Sequence, residues 1–137
     1  MTGSLWKIDE SIVRTPMSII GEQASALTQQ TKGLLVGEVS QDSFDDESML
    51  INLDVIVPNL NNYRFRVFRY VQPVLMYPGR FIPDRTITDI FDNAGLELDN
   101  IENEESLLKA LNYILGSPFV ERAISALLAQ ANFKQAS

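Results

Sequence analysis

The chain has 137 residues, of which 45% are hydrophobic and 21% are charged, and this balance is typical of one folded domain. It contains neither cysteine nor histidine. Their absence excludes cysteine nucleophiles, Ser-His-Asp triads, disulfides and metal sites built from these two residue types. Most familiar catalytic arrangements are therefore ruled out by composition alone.

The 18 acidic and 11 basic residues give a formal net charge of -7. Such an acidic chain is not expected to bind nucleic acids or anionic membranes through its net charge, because both need clustered lysine and arginine. No apolar run has the length of a signal peptide or of a membrane span. We therefore expect a cytoplasmic protein without membrane contact.

One domain is expected over residues 1–137, and its first 14 residues are expected to pack on the rest. Five apolar side chains would anchor this segment: Leu5, Trp6, Ile8, Ile12 and Val13. The physical reason is that burying apolar side chains away from water lowers the free energy of the folded state.

A helix is predicted directly after this segment. Thr15 and Pro16 are typical of a helix start, with Thr15 as the N-cap residue and Pro16 at the first helical position. Apolar residues then recur at helical spacing to about Thr31. Gly33 is expected to end the helix, because glycine readily adopts the left-handed conformation found there.

Strand-like runs follow at 34–41, 49–57 and 63–72, and a short fourth strand is expected at 74–77. The polar residues 42–48 are interpreted as a loop. The connections are too short for crossover helices, so the strands are expected to form an antiparallel meander.

The charges of the second and third runs indicate their register. If Val57 pairs with Tyr63, then Asp54 lies opposite Arg66, and the apolar residues share the other face. This supports an antiparallel hairpin with one buried face. The alternation breaks after Val67, which predicts either a bulge near Val67 and the next residue or a strand buried on both faces.

The same pattern is extended to the first run by matching its apolar face to that of the second. This places Val39 opposite Ile51 and puts Glu38 on the solvent side, near Asn52. The match depends on side-chain alternation alone, because a strand has a period of two residues.

Helical spacing returns at 86–93 and recurs in two further helices. One begins after Asn103 and ends at Gly116, and the other begins at Ser117 and Pro118. The predicted fold class is α+β: an N-terminal helix, a three- to four-stranded antiparallel β-meander, and C-terminal helices packed on one sheet face. The last helix is rich in alanine on one side, which would suit contact with a second copy in a homodimer.

The charges are unevenly distributed along the chain. Between Val55 and Pro83 there are four arginines and no acidic residue, and aromatic residues alternate with the arginines. Arginine and aromatic side chains are enriched where proteins bind partners, although a half-buried strand shows the same alternation. The candidate ligand- or partner-binding residues are Arg64, Arg66, Tyr70 and Arg80.

No other pattern in the sequence indicates a cofactor or a catalytic residue. The acidic residues 42–47 lack the spacing of a calcium-binding loop and are interpreted as a solvated turn. Eighteen acidic residues always provide some carboxylate pairs, so such pairs are not specific. We expect no metal, no cofactor and no catalytic site.

The combined interpretation is a non-enzymatic protein-interaction domain with an accessory, adaptor, chaperone-like or immunity-like role. Its order of elements, size and acidity resemble the build of bacterial type III secretion chaperones and toxin-neutralising immunity proteins, without a shared residue motif. One alternative is a small-ligand-binding domain whose sheet face lines a pocket with Tyr63, Phe65, Tyr70 and Tyr77. A second alternative is an enzyme that uses carboxylates.

Overall fold

The computed structural model describes residues 3–9, 11 and 14–136. In this part of the chain an N-terminal helix precedes a four-stranded antiparallel sheet, and three helices follow it, which confirms the predicted α+β class. The sheet order β1-β2-β3-β4 is that of a meander. The elements are α1 (Pro16–Gln30), β1 (Val36–Asp45), β2 (Ser48–Val57), β3 (Tyr63–Pro73), β4 (Arg80–Phe81), α2 (Arg85–Ala94), α3 (Glu104–Leu115) and α4 (Pro118–Ala136).

Helix α1 begins at the predicted residue. The Thr15 hydroxyl accepts a hydrogen bond from the Ser18 backbone N–H, and the Ser18 hydroxyl accepts one from the Thr15 N–H, both at 3.0 Å. This reciprocal capping satisfies donors that the first helical turn leaves free. At the other end the C-cap is Thr31 rather than Gly33, and Lys32 is the first residue with a left-handed φ, 53°. Gly33 follows with a φ of 81° and donates its N–H to the Thr28 carbonyl, which closes the end of the helix.

The loop predicted at 42–48 is wrong, because β1 continues to Asp45 and only two residues form the turn. The Asp45 carboxylate closes this turn. Its Oδ1 accepts a hydrogen bond from the Glu47 N–H and another from the Ser48 hydroxyl, each at 2.8 Å. An aspartate side chain that bonds to the backbone two residues ahead stabilises a tight turn, so the acidic stretch extends the hairpin.

The short strand predicted at 74–77 is also wrong. Those residues form a turn and an irregular segment, and β4 lies later, at Arg80–Phe81. Tyr70 pairs with Phe81, and Val71 pairs with Arg80. Since β4 runs antiparallel to β3, the chain must first reverse its direction, and residues 74–79 provide that reversal.

The predicted register of β2 and β3 is confirmed from the Val57–Tyr63 pair to the Asp54–Arg66 pair. The same register predicts that Leu53 pairs with Val67, and this is wrong, because Leu53 pairs with Phe68. The extra residue is a β-bulge, which was one of the two expected explanations for the broken alternation. Beyond the bulge the side chains change faces, so Arg69 joins the face that carries Arg66.

The predicted register of β1 and β2 is wrong by two residues. Val39 pairs with Leu53, and Glu38 lies directly opposite Asp54 rather than near Asn52. A shift of two leaves every side chain on its expected face but changes its neighbours. The two-residue turn and an irregularity between Ser43 and Asp45 determine the register, and side-chain alternation does not reveal either.

The hydrophobic core lies between the helices and one face of the sheet, here called the inner face. Phe81 lies near its centre and contacts three other aromatic rings at centroid distances of 4.9 to 5.3 Å. These edge-to-face and tilted contacts join β3, β4 and α2. The partner rings belong to Phe68, Tyr70 and Phe91.

The N-terminal segment is largely exposed where the structure describes it. Leu5, Trp6 and Ile8 are 79%, 83% and 75% exposed, so these three side chains do not act as the expected anchors. Ile12 and Val13 lie outside the described residues. The packing of residues 1–14 as a whole therefore stays a prediction.

None of the helices in the described part of the chain has the length and apolar character needed to cross a membrane.

Helix α1 packs so closely on β1 that one strand position admits only glycine. A Cβ atom added to Gly37 would lie 2.3 Å from the Ala24 carbonyl oxygen and 2.6 Å from the Ala24 Cα. These are backbone atoms, which cannot rotate away. A glycine inside a strand often marks such a close backbone approach.

The variant Gly37→Ala should lower the free energy of unfolding by about 1–3 kcal/mol, because α1 must move away from β1 to admit the methyl group. Urea unfolding measures this loss. Gly21→Ala, on the facing helix α1, is the matched control, because its Cβ would meet only the Val39 Cγ1, at an ordinary 3.8 Å. Alanine favours helices over glycine, so the control should be neutral or slightly stabilising. Equal effects of the two substitutions would contradict the close approach.

Candidate functional site

Three of the four candidate residues share the sheet face opposite the core, which we call the arginine face. The register places Arg64 and Arg66 on this face of β3, and Arg80 on the same face of β4, beside Val71. Its further polar and aromatic members are Glu38, Phe44, Asn52, Asp54 and Arg69.

Asp54 is the centre of the arginine face. Its side chain is only 1% exposed, although it lies on the face away from the core. The Arg66 guanidinium donates from Nε to Oδ1 at 2.9 Å and from Nη2 to Oδ2 at 3.3 Å, and Arg64 donates from Nη1 to Oδ2 at 2.7 Å. A buried carboxylate requires such partners, so Asp54 fixes the positions of both arginines.

Arg64 also joins two strands that would otherwise repel each other. Glu38 on β1 is directly opposite Asp54 on β2, and two facing carboxylates destabilise a strand pair. The Arg64 Nη1 donates to the Glu38 Oε1 at 3.0 Å as well as to Asp54. These hydrogen bonds, first to Glu38 and then to Asp54, raise the pKa of the Arg64 guanidinium. The hydrogen bonds to Asp54 likewise raise the pKa of Arg66.

Next to this cluster lies a buried amide with one unused acceptor. The Asn52 Nδ2 donates to the Ser40 hydroxyl at 3.2 Å and to the Asp42 carboxylate at 3.0 Å. Its Oδ1 is buried without a hydrogen-bond partner in the described part of the chain. Arg69 is directly opposite Asn52 on β3 and is exposed, with no ion pair or hydrogen bond to its side chain among the described residues.

Arg80 reaches across the sheet to an aromatic ring on β1. Its guanidinium carbon lies 5.2 Å from the centroid of the Phe44 ring, within the range of a cation–π contact. Phe44 remains 42% exposed, whereas Val71, the pairing partner of Arg80, is buried. The face therefore combines cationic and aromatic groups at this end.

The arginines retain hydrogen-bonding capacity for a ligand. Arg64 and Arg66 are 48% and 47% exposed, and each keeps guanidinium N–H groups that the contacts with Asp54 and Glu38 do not use. Asp54 holds both in place, so little side-chain freedom would be lost on binding. The arrangement is suited to carboxylates, which accept paired hydrogen bonds from guanidinium groups.

Tyr70, the fourth candidate, is separated from the arginines. Its side chain lies in the core and is fully buried, with its ring 4.9 Å from that of Phe81. Its hydroxyl lies against Gly79 and has no hydrogen-bond partner among the described residues. Burial, with a smaller contribution from Tyr77, raises the pKa of this hydroxyl, so it stays protonated.

The sequence did not indicate several members of the arginine face. Strict alternation counts Arg69 with the core side, and only the bulge alternative near Val67 places it on this face. The loop predicted at 42–48 removes Phe44 from the sheet, and the predicted β1 register gives Glu38 the wrong neighbour.

On the other side of the sheet, a cavity of about 420 Å³ opens between α1 and α4, which we call the α1–α4 groove. Leu53, Val55 and Val67 of the inner face form its floor. The four aromatic residues expected to line a ligand pocket do not line this groove. Its walls include Gln23, Leu27, Glu121 and Ile124.

The acidic side chains do not assemble into an obvious metal site. Across residues 3–9, 11 and 14–136, no group of three or more aspartate or glutamate side chains is placed to hold a metal ion. Asp54 is the one buried carboxylate in that part of the chain, and two arginines engage it. The most buried acid is therefore used to orient the arginines.

Breaking the cluster should show that Asp54 depends on both arginines. The double variant Arg64→Met/Arg66→Met leaves a carboxylate with no charged partner, and an unpaired buried polar group costs about 1–3 kcal/mol, or more when charged. Urea unfolding should show a clear loss, and adding Asp54→Val should restore most of it. Arg69→Met, on the same strand, is the control and should change stability little. A loss that Asp54→Val does not relieve would refute this account.

Tyr70 should make the fold sensitive to alkali. Burial raises the pKa of the Tyr70 hydroxyl in the folded state, whereas in the unfolded chain the pKa is the ordinary value of about 10. Below that pH both states are protonated and the folded state keeps its full stability. As the pH rises above it, only the unfolded chain loses the proton, so the free energy of unfolding falls. Tyr70→Phe should raise stability at neutral pH by about 1 kcal/mol, because an unpartnered hydroxyl is removed. Urea unfolding at neutral and alkaline pH should show this advantage increasing with pH. The exposed Tyr63→Phe control should show no such increase, and a constant advantage for Tyr70→Phe would contradict the assignment.

The chain was also compared with known proteins. No protein family, no curated protein and no solved structure matches it. Its function is therefore inferred from the residues and geometry described above.

Proposed function

We propose that this chain is a non-enzymatic protein-interaction domain that binds an acidic segment of a partner protein on its arginine face. One observation carries the proposal. Asp54 is buried under Arg64 and Arg66 and holds both guanidinium groups in place, while each stays about half exposed. Prepositioned arginines of this kind are common among the residues that dominate binding at protein interfaces.

The charge pattern of the face favours a protein over a polyanion as the partner. Arg64, Arg66, Arg69 and Arg80 lie on β3 and β4, whereas β1 carries Glu38, Asp42 and Asp45. A nucleic acid has uniform negative charge and would be repelled by the β1 side, as well as by the net charge of -7. A protein segment can place carboxylates over β3 and β4 and neutral or basic groups over β1.

An adaptor, chaperone-like or immunity-like protein acts by occupying a surface of its partner, and that role needs no catalytic group. The arginine face suits it because its exposed groups are positioned by contacts within the sheet. The cytoplasmic location expected from the sequence remains part of the proposal.

The proposal is tested with defined probes and backbone amide NMR. A synthetic peptide with a glutamate-rich half and a neutral half should shift the amide signals of β3 and β4, whereas a lysine-rich peptide of equal length and a thymidine oligonucleotide should not. The double variant Arg69→Glu/Arg80→Glu should weaken peptide binding by about tenfold or more, since both changes place repulsive charge on the face. Neither arginine contacts Asp54, so the central cluster stays intact.

Lys109→Glu/Arg122→Glu is the matched control, because it makes the same total charge change at exposed positions of α3 and α4. It should alter peptide binding only slightly through the net charge. Equal weakening by the control and the double variant would show that binding follows net charge and would overturn the proposal. Stronger binding of the oligonucleotide than of the glutamate-rich peptide would overturn it in favour of nucleic acid.

A further inference from the structure

The α1–α4 groove is a cleft between two helices that reaches down to the inner sheet face, where Leu53, Val55 and Val67 are 4%, 2% and 8% exposed. Leu53, Val55 and Val67 form its floor, and its volume of about 420 Å³ lies within the range of ligand-binding clefts, about 300–1,000 Å³. Gln23 on α1 and Glu121 on α4 are among the polar residues at its walls. The groove is therefore an apolar site with a polar border, and it lies on the side of the sheet away from the arginine face.

The same chain exposes an apolar segment that lacks a site. Residues 3–9 form no helix or strand, and Leu5, Trp6 and Ile8 within them are 79%, 83% and 75% exposed. Isolated exposed apolar side chains are ordinary, but three within four residues mark a segment that gains by burial. In an extended chain Trp6 and Ile8 project to the same side, so they can enter one groove together.

This segment does not occupy the groove of its own chain. Leu5, Trp6 and Ile8 are exposed, and none of residues 3–9 lines the groove. Arg14, which follows the segment, pairs with Glu22 of α1 at 2.7 Å and with Glu104 of α3 at 3.8 Å. The groove of one copy is therefore open to the segment of another.

We propose that residues 3–9 dock in the α1–α4 groove of a second copy of this chain, and that the reciprocal contact forms a two-fold dimer. Trp6 and Ile8 would fill the apolar groove. Lys7 between them provides a positive charge, and Glu121 provides a carboxylate at the groove wall. This dimer is independent of partner binding on the arginine face, because the two sites use opposite faces of the sheet.

Trp6 is the single tryptophan of the chain and reports directly on the docking. Sedimentation equilibrium and tryptophan fluorescence are measured on the full chain over a series of concentrations. The dimer fraction should rise with concentration, and the emission of Trp6 should move to shorter wavelength in step with it, because the indole leaves water. Both changes should give the same dissociation constant.

Two variants disable the two halves of the contact separately. Leu5→Ser/Ile8→Ser removes apolar groups from the segment but keeps Trp6 as the reporter. Ser125→Arg fills the groove from an exposed position of its wall, so the fold should be unaffected, as circular dichroism would check. Each variant alone should weaken dimerisation by about tenfold or more. Mixing the two should restore a heterodimer, because one intact segment then meets one intact groove.

Leu75→Ser is the matched control, since Leu75 is 86% exposed but belongs to neither half. It should dimerise like the unaltered chain. A chain that stays monomeric at all concentrations would overturn the proposal. So would a dimer in which Trp6 emission stays that of an exposed indole, or a monomer with buried Trp6, which would place the segment in its own groove. Failure of the mixture to form a heterodimer would also overturn it.

Discussion

A single buried negative charge constrains much of this structure. Asp54 lies at the middle of the sheet on its helix-free side, and its carboxylate is almost fully withdrawn from water. Such a charge is tolerated only with close cationic partners. Arg64 and Arg66 supply them from β3, which requires that Asp54 pair with Arg66. The register of the central strands and the positions of the exposed guanidinium groups thus share one electrostatic cause.

The features that the sequence predicted correctly depend on local or directly opposed residues. The start of α1 follows from Thr15 and Pro16, whose cap involves only the first turn of the helix. The β2–β3 register follows from Asp54 and Arg66, because a charge pair and an apolar face agreed on one alignment. The α+β class required only the order and spacing of these patterns.

The sequence-based errors arose at two places where alternation of apolar and polar residues does not determine the structure: a turn closed by a side chain, and a strand with an added residue. The Asp45 carboxylate shortened a predicted loop to two residues and so moved β1 by two positions against β2. One extra residue at Val67 reversed the faces of β3, which brought Arg69 to the arginine face and left Tyr70 in the core. The break in alternation indicates an added residue but not which later side chains it turns, so Tyr70 was wrongly grouped with the three arginines.

The position of β1 at the edge of the sheet affects how the protein behaves at high concentration. An edge strand of ten residues exposes backbone groups that could pair with the same edge of another molecule and start aggregation. Here the strand carries Glu38, Asp42 and Asp45. Two such edges meeting side by side would bring these acidic groups together, and the repulsion would oppose pairing. The acidic groups of β1 thereby also oppose open-ended growth of the sheet.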